Sequence, residues 1–283
     1  MSAVVTIAAY GLREALRRRV FAVVLLLTVG FLALFWLGNS YVFDHVADVV
    51  PPAGIDARTF AGAFVFGLAM FATLFLGVVL AIFLTLGVVE ADAERGLLQP
   101  LVVRPVGRSV LLAARFLGAA VICVPYVLSV YFAALLITGL TGDWWPDRIV
   151  LPGLELAGGV LVVAALSLLG SVFLGSTANG IAVFMVFGAG LVAGLLGNIG
   201  HALNAEKLIR VAKIVAWAIP FEALYEDGLR GITEETSGLT GFLLRLGPFG
   251  GAESGGWALR AWSVAYLLLV LAAAVIAFGR RDL

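Results

Sequence analysis

From residue 64 to 89, and again from 116 to 140, the chain carries no charged side chain. Between these runs lies EADAERGLLQPLVVRPVGRSVLLAAR, residues 90–115. Here Arg95, Arg104, Arg108 and Arg115 crowd beside Glu90, Asp92 and Glu94. A charged hinge between two apolar runs of membrane length reads as a loop held at a membrane surface. Its arginines place that surface on the cytoplasmic side. This pattern makes the chain an integral membrane protein, and composition agrees: 62% of its 283 residues are hydrophobic and 13% charged. Soluble domains carry roughly 25% charged residues.

A helix needs about 20 apolar residues to cross the hydrocarbon core. Six segments meet or approach that length: 20–37, 60–89, 110–140, 156–174, 181–199 and 261–278. The expected fold is therefore all-α and polytopic, one transmembrane domain over 1–283. The second and third segments are long enough to tilt or protrude. Pro125 does not exclude spanning. With the N-terminus inside, Arg13, Arg17, Arg18, Arg19, Arg95, Arg104, Arg108, Arg115, Arg280 and Arg281 pack against inner span ends. The short outer loops hold Asp44, Asp48, Asp56, Asp143 and Asp147, and Trp36, Tyr41, Trp144, Trp145, Trp257 and Trp262 mark the outer interface. Both termini are thus expected in the cytoplasm, with the protein in the inner (plasma) membrane. The first apolar run is longer than a signal-peptide core, and no convincing cleavage site follows Leu37, so it reads as an uncleaved span.

Three segments lie outside the spans. Residues 1–19 have helical periodicity, with Val4, Ile7, Leu12 and Leu16 opposed by Arg13 and Arg17. They fit an interfacial amphipathic helix or an ordinary basic flank. Residues 90–109 form a cytoplasmic loop, broken at Gly96, Pro100 and Pro105. Its patch of Leu97, Leu98, Leu101 and Val102 suits either a partner's groove or lipid. Residues 200–257 form the largest extracytoplasmic segment. In it Glu206, Arg210 and Lys213 oppose Leu208, Val211 and Val215, an amphipathic helix too short before Pro220 to span and expected to lie on or dip into the outer leaflet. Further on, the Gly-rich, acidic stretch around Glu234 and Glu235 and the GPFGGAESGG run read as a loop.

Chemistry-bearing motifs are scarce. Lys207 and Lys213 are the only lysines and neither follows Gly, so there is no phosphate-binding P-loop. Cys123 is the only cysteine, and His45 and His201 are far apart, so neither a disulfide nor a metal site is expected. Zero net charge gives no field for nucleic acid. The middles of the spans lack Asp, Glu, Lys, Arg and His, which argues against a proton- or sodium-coupled transporter. No catalytic residue and no cofactor are expected. Gly190 and Gly194 form GxxxG, and Ser167, Ser171 and Gly175 form a small-xxx-small pattern; each suits a contact within the bundle or a dimer seam. Thr73, Tyr126, Ser129, Tyr131 and Asn198 are the scattered polar groups of otherwise apolar spans, an environment for a lipid-like or amphipathic molecule.

The pattern E-x-x-x-E-R-G-L-L-x-x-L-x-x-R-P-V-x-R at 90–108 resembles the cytoplasmic loop of ABC transporter permeases of the type-2 exporter class. Glu90, Glu94, Gly96, Leu97, Pro105, Val106 and Arg108 carry the likeness, with Leu97 where Thr is common and Gly107 where Ser is common. The opening T-I-A-x-x-x-L-R-E-A-L-R-R-R-V-F, the run I-P-F-E-A-L-Y at 219–225 and the ending F-G-R-R-D-L are similar to that class too, nearest to the nitrous-oxide-reductase maturation permeases. The resemblance implies a non-catalytic subunit that forms the translocation pathway as a homodimer or heterodimer. It implies a separate cytosolic ATP-binding subunit, docked through Glu90, Glu94, Arg95, Gly96, Leu97, Leu98, Leu101, Pro105 and Arg108 and through the N-terminal Arg13, Glu14 and Arg17. A passive channel, a lipid scramblase or a scaffold of a membrane enzyme are the other classes open to such a chain.

Overall fold

The computed structural model describes residues 19–48, 56–86, 108–232 and 256–280. Every regular element among them is helical. They are α1 (Arg19–Asp44), a 3-10 turn (Val46–Asp48), α2 (Ala57–Thr85), α3 (Arg108–Gly142), α4 (Leu151–Phe173), α5 (Ser176–Ala202), α6 (Glu206–Ala218), α7 (Phe221–Arg230) and α8 (Gly256–Gly279). Six of these helices are long and apolar enough to cross a membrane: Phe21–Asp44, Ala57–Thr85, Val110–Gly142, Leu151–Phe173, Ser176–His201 and Gly256–Gly279. The protein is thus an all-α, polytopic membrane protein, with its spans in the expected order.

The helices are longer than the apolar runs. α4 starts at Leu151 rather than 156, with Pro152 in its first turn, and α8 starts at Gly256 rather than 261. Apolarity marks what can face lipid, whereas a helix continues until its backbone is capped or broken. Glu155 and Arg260 therefore become helical residues in second turns. At the opposite end of α2, Asp56 caps the helix, accepting from the Thr59 backbone N–H at 3.0 Å.

α4 is the axis. Its residues Leu156, Val160, Ala164 and Leu168, four apart, are fully buried, and α2, α3, α7 and α8 pack around it. The helices approach through small side chains. A Cβ on Gly77 of α2 would stand 2.7 Å from Val127 of α3 and 2.8 Å from Val160 of α4. Near the face where α2 and α4 end, Thr85 donates to the Ser167 hydroxyl at 2.7 Å and the Asn179 amide donates to the Ser167 carbonyl at 2.9 Å. Ser167 and Ser171 are thus buried inside the bundle. α1 lies at the rim, tied to α3 by a Thr28–Tyr126 hydroxyl contact of 2.5 Å and by Asn39, which donates to Thr141.

The segment after α5 folds back on itself, beginning with the amphipathic helix expected before Pro220. Asn204, at φ +51, turns the chain, and α6 runs back along α5: Gly197 meets Ala212 and Gly200 meets Ile209. After Pro220 the chain reverses again into α7, antiparallel to α4. Phe221 lies over Gly159, while Gly228 and Gly231 lie over Pro152. Gly159 is eight residues beyond Leu151, so at 1.5 Å per residue the hairpin reaches about 12 Å along α4. Its far end returns to the surface it left, where Asp147 and Arg148 donate backbone hydrogen bonds to Ile232 and Gly231. Eight of the ten α7 residues are buried, Glu222, Glu226 and Asp227 among them, while the loop expected around Glu234, Glu235 and the GPFGGAESGG run lies outside the described residues. Burial is possible because the helix satisfies its own backbone and its carboxylates find partners.

Candidate functional site

The polar interior lies where α7 meets its neighbours. Arg260 of α8 donates through Nε to Glu155 Oε1 of α4 at 2.7 Å and through Nη2 to Asp227 Oδ2 of α7 at 2.8 Å. The acids are nearly inaccessible, at 4% and 7% side-chain exposure. One guanidinium fork thus pins three helices whose residues are far apart in sequence. Arg suits this role because its donors are planar, fixed and always charged. Asp227 also accepts from the Gly256 N–H at 3.4 Å. A second anchor joins the other arm of the hairpin to α8: Trp262 Nε1 donates to the Trp217 carbonyl at 2.8 Å.

The other face of α7 turns to α5. Phe221 stacks on Phe187 at 5.0 Å between ring centroids, and a Cβ on Gly190 would stand 2.5 Å from its ring. One turn on, a Cβ on Gly194 would overlap the Glu222 carboxyl and stand 3.0 Å from Glu226 Oε1. The GxxxG pair is therefore the seat of α7, an intramolecular contact. Glu222 and Glu226 meet in that seat, 3% and 6% exposed. Burial, and then the charge of Glu226 beside it, raise Glu222 above the usual carboxylate range.

A third feature is apolar. Between α1 and α2 runs a groove of about 790 Å³ lined by Leu26, Leu34, Val42, Phe60, Phe64 and Leu68, with other apolar residues. Three of the scattered polar residues of the spans are engaged within the bundle. Thr73 bonds its own helix at 2.7 Å, Tyr131 donates to the Ile149 carbonyl at 2.9 Å, and Tyr126 meets Thr28. Cys123 is buried and free, and the described residues contain no group of three or more His, Cys, Asp or Glu that could hold a metal ion.

The expected coupling residues Arg13, Glu14, Arg17, Glu90, Glu94, Arg95, Gly96, Leu97, Leu98, Leu101 and Pro105 lie outside the described residues. Arg108 is the first residue of α3. Six spans bring the described chain ends, Arg19 and Arg280, to the same face as residues 86 and 108, which flank that loop. The carboxylates at 155, 222, 226 and 227 were not singled out by sequence. The signal was present in local form: Pro220, Glu222 in the first turn and Arg230 in the last are helix start and stop residues.

No curated protein matches the chain. Residues 5–283 match the family model described as ABC-2 family transporter protein. Helices suited to spanning, and a match that runs almost end to end, agree: the chain belongs to the ABC-2 transporter family of membrane permeases.

Proposed function

We propose that this chain is the permease subunit of an ATP-driven exporter, with its translocation pathway formed by two permeases and ATP hydrolysis left to a separate cytosolic subunit. Membership of the ABC-2 family over 5–283 is the observation that carries the reading. The arginine-rich 90–109 loop supports it, because it joins two spans on the face that also holds both described chain ends. In this reading both termini are cytoplasmic. Leu97, Leu98 and Leu101 fill a groove on the ATPase, Glu94 and Arg108 make rim contacts, and the helix carrying Arg13, Glu14 and Arg17 lies alongside. The substrate is lipid-like or amphipathic. The apolar groove between α1 and α2 supports this, since it offers a charged solute nothing to replace its hydration.

The test is co-purification with the cognate ATP-binding-cassette protein beside permease-stimulated ATP hydrolysis. Leu98→Asp places an unpaired carboxylate in the contact, at a cost of several kcal/mol for a buried ion, and is expected to abolish both signals. Glu94→Gln, at the rim, is expected to leave most of each. A folded Leu98→Asp protein that still binds and stimulates the ATPase removes the loop from the coupling role.

A further inference from the structure

We propose that Glu222, Glu226 and Asn198 form a proton-binding site, in which one proton shared by the two carboxyls holds the α6–α7 hairpin against α5. The carboxyls converge on the same point: Glu222 occupies the space a Cβ on Gly194 would fill, and Glu226 Oε1 lies 3.0 Å from that position. Two ionised carboxylates that close in a buried seat repel each other, and neither has a donor to offer. A proton on one of them removes the repulsion and gives it a hydrogen bond to donate to the other. The step is a simple protonation. A proton from water adds to one carboxylate oxygen, the neutral acid donates to its neighbour, and the pair falls from two negative charges to one.

Asn198 supplies the second, independent observation. It lies one turn beyond Gly194 on the side of α5 that receives α7. It is 8% exposed, and neither its Oδ1 nor its Nδ2 has a hydrogen-bond partner. A buried amide with both atoms unfilled is costly unless a small polar occupant fills it. One water bridging Asn198 to the pair would do so, and it gives the proton a path toward the nearby end of α5 at Ala202.

The surroundings favour keeping the proton. α4 contributes Glu155 and α8 contributes Arg260 and Tyr266; α2 has only Arg58, at its first turn. The fork of Arg260 is committed to Glu155 and Asp227. His201 of α5 and Glu206, Lys207, Arg210 and Lys213 of α6 are exposed. On α7 itself stand Tyr225, Asp227 and Arg230. Burial thus penalises ionisation of the pair, in the direction found for Glu222.

The sign of the pH dependence follows. A carboxyl raised above its ordinary 4.5 binds its proton more tightly in the folded state. Its contribution to stability is complete at or below that value and is lost as pH rises through the raised one. The experiment uses the permease alone in lipid nanodiscs, so its result does not depend on any ATPase. Thermal unfolding is followed from about pH 5 to about pH 9, where one bound proton changes the unfolding equilibrium by up to about tenfold per pH unit. The wild-type midpoint should fall with rising pH. Glu222→Gln, which can still donate to Glu226 but does not titrate, should flatten the curve. An unchanged slope in both Glu222→Gln and Glu226→Gln overturns the proposal. Infrared spectra of the wild type at neutral pH provide a readout that needs no variant: the carbonyl stretch of a protonated, slowly exchanging carboxylic acid is expected, and its absence overturns the proposal. A third arm compares sodium chloride with choline chloride at the alkaline end. Equal midpoints support the proton, whereas rescue by sodium makes the occupant an alkali cation and overturns it.

Discussion

α4 and α1 are nearly equal in apolarity, with mean hydropathies of 2.3 and 2.5 over their membrane-length stretches, yet 67% of that stretch is buried in α4 and 11% in α1. Hydrophobicity alone does not decide which helix is the axis and which the rim. In a bilayer the lipid is as apolar as Leu, so burial follows close approach and polar pairing instead. α4 supplies both. Gly158 and Gly159 admit Leu224 and Phe221, and Glu155, Ser167 and Ser171 all lie inside the bundle. α1 offers Gly30 and Gly38 to open space and leaves Leu26, Val29 and Leu34 65–72% exposed.

The sharpest way to break this comparison is to remove the charge that α4 depends on. Arg260→Leu leaves Glu155 and Asp227 buried without their guanidinium. Losing one partner of a buried ionic group costs about 3–5 kcal/mol, so a large fall in thermal midpoint and in folded yield is expected. Adding Glu155→Gln to that variant should recover part of the loss, since one stranded charge is gone. If Arg260→Leu melts with the wild type, the polar contacts are not what fixes α4 at the centre.

A smaller effect tests close approach, using two glycines on the same helix. In α5, Gly190→Ala would drive a methyl to 2.5 Å from the Phe221 ring, which is fully buried and stacked on Phe187 and cannot easily retreat. Overpacking of this kind costs about 1–3 kcal/mol. A Cβ on Gly188 meets nothing within 4 Å, so Gly188→Ala should be neutral or stabilising, by up to about 1 kcal/mol from helix propensity. Thermal unfolding of the two variants side by side gives the answer; equal losses would mean that α7 is not seated on Gly190.

The spans were legible because membrane insertion selects for composition over a window of roughly 20 residues, and no detail of packing is needed to see it. Their order and the small-residue patterns came with it. The polar corner was not legible, for two reasons. Glu155 and Arg260 stand at the edges of apolar runs, where a charge is ordinary, and only the fold joins positions 105 residues apart. Glu222, Glu226 and Asp227 make the 219–230 stretch polar, so composition does not mark it as buried. That they are buried depends on Arg260 and on Gly194, neither of which is near in sequence. Helix start and stop signals around Pro220 and Arg230 predict a short helix there, but not which of its faces is covered.

The smallest expected effect lies at the rim. Leu34 is 71% exposed in the single chain and lines the groove between α1 and α2. If lipid alone covers it, Leu34→Ala trades one apolar surface for another and should move stability by no more than about 0.5 kcal/mol, as substitutions away from packed contacts do. Thermal unfolding of the permease in nanodiscs at one copy per disc measures that value free of any partner. The same variant at two copies per disc then separates lipid from protein as the cover. A second permease resting on α1 would lose packing that lipid supplies less well, because side chains of a facing helix interlock while acyl chains do not. An association defect with an unchanged single-copy midpoint would make α1 the face that meets another permease. No change in either state would leave α1 a lipid-facing rim, and the contrast with α4 would be complete within one chain.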